Sequence, residues 1–154
     1  MLFRSENLRQ RKIRYPGGGQ RALNTIFIRN LVDAVFLAID NRQAVGHCYN
    51  LTDGEFVSKE RFISAVADAM GLPRPTGRPP LWLARIATWV AETRAKIKGA
   101  KEAPRLNFAT LKFMGLNLDF SIEKARRELG YHPRVNFDDA IAETMAWYKK
   151  PGGG

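Results

Sequence analysis

Thiol chemistry is almost missing from this sequence. Its one cysteine, Cys48, leaves no internal disulfide and no cysteine-based metal site, so a reducing, cytosolic setting is the default expectation. Histidine is nearly as scarce. His47 and His132 are the only two, and neither has neighbours at metal-ligand spacing. No run approaches the roughly 20 consecutive apolar residues needed to span a bilayer. Met1 to Gln10 carries Arg4, Glu6 and Arg9 without a following apolar stretch, which does not match a secretory signal. Acidic residues are outnumbered, 15 against 25 Lys and Arg, giving a net charge of +10. That surplus suits an anionic membrane, an acidic partner or nucleic acid without choosing among them. No helix-turn-helix, finger or aromatic RNA-binding signature accompanies it, so a solvated surface, in part facing a missing remainder of the protein, ranks first, a membrane face second and nucleic acid third.

What remains is a chain of one domain's length, 154 residues, with 45% hydrophobic content, enough for a modest core. Residues 1–22 read as a basic, irregular arm broken by Pro16-Gly17-Gly18-Gly19, with a short strand near Ile13. Residues 151–154 form a tail with no regular element. Between them, Asn24 to Ile28 is β-branched and aromatic and reads as a strand. Asn30 is placed to cap a helix with Asp33 three residues on. Leu31 to Ile39 is apolar almost all round, which predicts a largely buried helix. Cys48 to Leu51 reads as a second strand and Thr52-Asp53-Gly54 as its turn. Inside that strand, Cys48 is expected to be a small buried residue. It would point away from His47, so the two could not pair as nucleophile and base.

Ser58 caps the next predicted helix, with Phe62, Val66 and Ala69 on one face, Gly71 at its end and Pro73 blocking continuation. Pro80 opens a helix over Leu81 to Ile97 whose bulky apolar set is Trp82, Ile86, Trp89 and Val90. Further helices are expected over Leu106 to Met114, from Ser121 to Gly130, and from Asn136, where Phe137, Ala140, Ile141, Met145 and Tyr148 share a face. Asp33, Asp53, Asp119 and Asp139 all suit caps or turns, and no carboxylate pair is placed for acid–base work. Two or three strands make a marginal sheet alone, and their continuous apolar character suits a sheet covered on both faces. The expected class is therefore α/β: the edge of a larger sheet with five or six helices beside it.

Three of these stretches carry a resemblance. Thr25 to Ile39, Gly46 to Pro73 and Phe120 to Tyr148 together look like the C-terminal half of the extended short-chain dehydrogenases/reductases. The first resembles the family's strand ending in Asp or Asn before a buried helix. The second resembles the opening of its substrate-binding domain, and the third its closing helices. The resemblance implies that residues 23–150 are the substrate-side domain of a Rossmann-type reductase. The whole would use NAD or NADP for hydride transfer at an alcohol or ketone.

The family's catalytic and cofactor motifs are not in this sequence. Members need a Gly-rich turn between strand and helix for the pyrophosphate. They also need a Tyr with a Lys four residues later, the phenol passing the proton and the ammonium lowering its pKa and holding the ribose. Tyr15, Tyr49, Tyr131 and Tyr148 are followed at that spacing by Gly19, Asp53, Val135 and Gly152. Gly17 to Ala22 fits G-x-G-x-x-A but leads toward a strand, so it is not read as a cofactor loop. Members acting on nucleotide sugars tend to carry an Arg where Leu23 stands and an Arg-x-Gly-Asp where Met114 to Phe120 stands. The likeness is therefore to the hydroxysteroid dehydrogenase and dihydroflavonol reductase branch, whose substrates are apolar.

Trp82, Ile86, Trp89 and Arg105 are the candidates for walling a substrate pocket. No catalytic, cofactor-binding or metal residue is assigned, and no tight NAD or NADP binding is expected of the chain by itself. Its expected partner is the dinucleotide-binding half. The alternative is a separate basic module docking on an anionic membrane or acidic partner through residues 1–21 and 81–105.

Overall fold

A computed structural model of the chain describes residues 8, 10, 13–99, 104 and 107–150. Arg105, the 151–154 tail and residues 1–7, 9, 11 and 12 of the basic arm lie outside the described residues. Among the described residues, six α-helices with defined ends follow in order: α1 (Ile28–Ile39), α2 (Lys59–Ala69), α3 (Leu81–Ile97), α4 (Phe108–Gly115), α5 (Glu123–Leu129) and α6 (Phe137–Tyr148). Short 3-10 turns occupy Pro16–Gly18 and Arg42–Ala44. The chain divides into two compact units, Met1–Arg21 with Ser58–Asn117 and Ala22–Val57 with Leu118–Gly154.

The expected strands near Ile13, over Asn24 to Ile28 and over Cys48 to Leu51 are not strands; none of the described residues is in one. A strand exists only through a ladder partner, and these segments find isolated bonds in its place. Leu23 N–H donates to Val57 O at 2.8 Å, Asp53 N–H to Thr25 O at 2.9 Å, and Phe27 N–H to the Asp53 carboxylate at 2.8 Å. The observed architecture is therefore helical where α/β was expected. Cys48, lacking a sheet to bury it, is exposed.

In the first unit, α2 starts at Ser58, whose Oγ accepts from Arg61 N–H at 3.0 Å. Its buried face is Lys59, Ile63 and Ala67, spaced by four. Leu8, Tyr15, Ile63 and Ala67 form a small core, with Phe62 and Val66 packed half-buried against it. α3 turns Ala84 and Thr88 inward and packs against α4. Asn107 caps α4 by accepting from Thr110 N–H at 2.8 Å.

In the second unit, Ala34, Ile122, Ala125, Leu129 and Tyr131 make the core. α5 ends in Gly130 at φ 67°, the left-handed position that a side chain resists. At the start of α6, Asn136 accepts from Asp139 N–H at 2.9 Å and donates to its carboxylate at 2.8 Å, a reciprocal cap. α1 differs from expectation at both its start and its burial. It begins at Ile28, two residues before the expected cap, so Asn30 lies inside the helix and is fully buried. The apolar residues are the exposed ones: Ile28 61%, Val35 47%, Phe36 61% and Ile39 71%. Only Ala34 on this helix is a buried hydrophobic residue, because the second unit offers α1 a partner on one side alone.

Candidate functional site

Among the residues singled out by sequence, Trp82, Ile86 and Trp89 lie on one face of α3, at 64%, 53% and 61% exposure. They share a stripe and enclose nothing. Of two clefts among the described residues, one of about 380 Å³ in the first unit is lined by Leu8, Ile13, Arg14 and Pro73 to Gly77. The other, about 210 Å³ in the second unit, lies among Asn24, Glu55, Phe56, Asp119, Ser121 and Arg126. Neither includes the α3 residues.

The glycine run does not make a cofactor turn. Gly17 sits inside the 3-10 turn at φ 75°, its N–H donating to Pro79 O at 3.2 Å. A Cβ there would come within 2.9 Å of the Leu81 side chain, so the turn closes on the protein's own loop. The next helix begins only at Ile28, too far along to aim its N-terminus at a phosphate held there. That turn therefore does not fit the pyrophosphate of NAD or NADP. The described residues contain no cluster of three His, Cys, Asp or Glu able to hold a metal, and no helix long and apolar enough to cross a membrane.

Asn30, expected as a helix cap, is instead a fully bonded buried polar group. Asn30 Nδ2 donates to Asp53 Oδ1 at 2.7 Å and to Val135 O at 2.8 Å. Its Oδ1 accepts from Arg134 N–H and Val135 N–H, both at 3.1 Å. Every hydrogen-bonding position of the side chain is used, which ties the start of α1 to the segment before α6. A polar residue inside an otherwise apolar helical run was the available signal. Beside it Tyr131, 1% exposed, donates to Thr52 O at 2.9 Å. Burial, with Asp53 and Asp33 adding to it, pushes the phenol up to about 12. Buried and donating to a backbone carbonyl, this phenol ties the Thr52 turn to the end of α5.

Lys59 was also missed. At 2% exposure its ammonium donates to Phe113 O at 2.7 Å, to Met114 O at 3.1 Å and to Leu116 O. These are carbonyls at the C-terminal end of α4, where a positive charge is favoured. Burial, and then the Arg21 charge, holds its pKa below the ordinary lysine value.

No family model matches the chain. Curated relatives do. A 4-hydroxy-2-methyl-3-oxo-4-farnesyl-3,4-dihydroquinoline-1-oxide ketoreductase of Stigmatella aurantiaca is 31% identical over 136 residues, 87% of this chain and 40% of the relative. Short-chain dehydrogenase/reductase family 42E member 1 of Bos taurus is 30% identical, covering 90% and 36%. Sterol-4-alpha-carboxylate 3-dehydrogenase of Schizosaccharomyces pombe is 30% identical, covering 79% and 37%. The chain is a homologue of the short-chain dehydrogenases/reductases. It spans about two fifths of the length of these reductase relatives. The crystal structure of gox2253 shares the fold over 84% of this chain and 38% of its own, with a TM-score of 0.60 at 24% identity.

Proposed function

We propose that this chain is the substrate-binding part of an NAD(P)-dependent reductase that transfers hydride at an alcohol or ketone carbon of an apolar substrate. The exposed apolar face of α1 carries the reading. Ile28, Val35, Phe36 and Ile39 make a contiguous stripe that water disfavours, on a chain spanning two fifths of its relatives. The dinucleotide-binding part of a longer reductase is the occupant that fits. The edge of that stripe carries Arg29, Asp33 and Asp40, charges of both signs such as border a protein–protein contact.

The apolar substrate is supported by the relatives' names, which speak of a farnesyl-dihydroquinoline oxide and of a sterol carboxylate. It is supported also by Leu23, where nucleotide-sugar members of the family tend to place an Arg. Without a Gly-rich turn leading into a helix or a Tyr-x-x-x-Lys pair, the chain alone supplies positioning and no chemistry. The cofactor brings the hydride step.

The deciding experiment is to read the coding frame upstream of Met1 and assay whatever product it encodes. A frame continuing into a Gly-rich turn and a Tyr-x-x-x-Lys, with NADPH- or NADH-dependent reduction of an apolar ketone, is the expected result. A stop codon immediately upstream, or ketone turnover by the 154-residue chain alone, overturns it.

A further inference from the structure

The outward face of α3 differs in kind from that of α1. On a helix each residue advances about 100°, so Trp82, Leu83, Ile86, Trp89, Val90 and Ile97 fall within about 120° of arc. All six are exposed, from 40% at Val90 to 80% at Ile97. They lie opposite Ala84 and Thr88, the residues that α3 buries. Cations border this stripe on both sides: Arg85 and Lys96 along one edge, Arg94 and Lys98 along the other, all exposed. The helix has one acid, Glu92, and it lies off the stripe with its carboxylate accepting from Phe108 N–H at 2.8 Å, at the start of α4. Charge is therefore segregated: the negative group is spent inside the unit, and the four positive groups frame the apolar face.

Helix-end electrostatics does not account for this. Cations in the last turn suit a helix C-terminus, which covers Arg94, Lys96 and Lys98, but Arg85 sits near the other end. Nor does the pattern suit a protein partner, since lysine is depleted from such contacts and would have to be desolvated there. At a bilayer surface the same residues are all satisfied. Tryptophan prefers the headgroup boundary, aliphatic side chains enter the acyl region, and Lys and Arg meet lipid phosphates. At 17 residues with cations along its flanks, α3 lies in the surface and does not cross it.

We propose that α3 is an interfacial docking helix that seats its Trp82–Ile97 stripe in an anionic phospholipid surface. The occupant is a membrane carrying phosphatidylserine-like headgroups. The proposal stands on the geometry of α3 and holds whether or not the chain belongs to a larger reductase.

The test uses the 154-residue chain with vesicles of roughly three parts phosphatidylcholine to one part phosphatidylserine. Saturable binding at low salt is expected, weakening as salt rises and much weaker on pure phosphatidylcholine. Trp82→Ser with Trp89→Ser should lower affinity about tenfold or more. Arg94→Glu with Lys96→Glu and Lys98→Glu should lower it about a hundredfold or more on anionic vesicles, since each cation near such a surface is worth about fivefold and each added carboxylate is repelled. All of these side chains are exposed, so the variants keep the wild-type circular dichroism and the readout is binding alone. Brominated acyl chains should quench Trp82 and Trp89 but leave Trp147, on α6, unaffected. Absence of vesicle binding overturns the proposal, as does binding that both variants retain, or quenching confined to Trp147. A dimer in lipid-free sedimentation that Trp82→Ser with Trp89→Ser dissolves would assign the stripe to a second copy and overturn it too.

Discussion

At the scale of single residues, the second unit depends on polar groups that are buried and fully used. Asn30 joins α1, the Asp53 turn and the segment before α6 through four hydrogen bonds. Asn30→Ala would strand two backbone N–H groups, a carbonyl and part of the Asp53 carboxylate, each costing about 1–3 kcal/mol when unpaired and dry. Partial relaxation leaves an expected loss of roughly 3–5 kcal/mol, read as a lower urea midpoint at unchanged m-value. Tyr131 makes a pH-dependent contribution of known sign. Its folded pKa of about 12 lies above the ordinary 10.0. Below about pH 10 both states keep the proton and the contribution is complete. As pH rises toward 12 the unfolded chain releases the proton first, so stability falls. Relative to Tyr131→Phe, whose ring has nothing to titrate, the wild type should lose about 2 kcal/mol between pH 10 and pH 12. Equal alkaline losses in the two proteins would remove Tyr131 from the account.

At the scale of elements, what was legible in sequence were the helix ends, because caps are local chemistry. Ser58, Gly130 and the Asn136/Asp139 pair act where their spacing placed them, and Leu81 to Ile97 is a helix over that same range. Ser121 also serves its helix, accepting from Glu123 N–H at 3.2 Å, although α5 starts one residue later than a direct cap would set. Pairing and burial were not legible, since both are relations between segments. Apolar runs predicted strands and a buried helix, but a strand needs a ladder partner and a helix face needs a cover. For the same reason the α3 candidates were recognised as a set while their setting, an open face, was not. The capping of α4 by Lys59 belongs to this class: a lysine in the first turn of α2 gives no local sign that it serves another helix. Lys59→Met would keep the stem's apolar contacts and leave three carbonyls without a donor. The expected cost is about 2–4 kcal/mol, accompanied by faster amide exchange over residues 108–115. Protection there equal to the wild type would show that α4 holds its end without the ammonium.

At the scale of the whole molecule, two apolar helix faces among the described residues lie open to water, and their borders point to different surroundings. That of α1 is edged by charges of both signs and is proposed to meet the dinucleotide-binding part. That of α3 is framed by cations and is proposed to meet lipid. The distinction can be tested on one face without touching the other. Val35→Lys with Ile39→Lys alters only side chains that are 47% and 71% exposed, so the isolated chain should keep its stability within about 0.5 kcal/mol. It should also become more soluble, because a contiguous apolar patch is lost. Affinity for anionic vesicles should not fall, since α3 is intact and the net charge has risen from +10 by two lysines. In a longer reductase carrying the same pair of changes, the reductase's own folding or activity should fail, because two ammonium groups would then be buried unpaired between the parts. Unimpaired activity of that longer protein would mean that α1 stays in water, and the docking role assigned to it would have to be given up while the lipid surface on α3 remained standing.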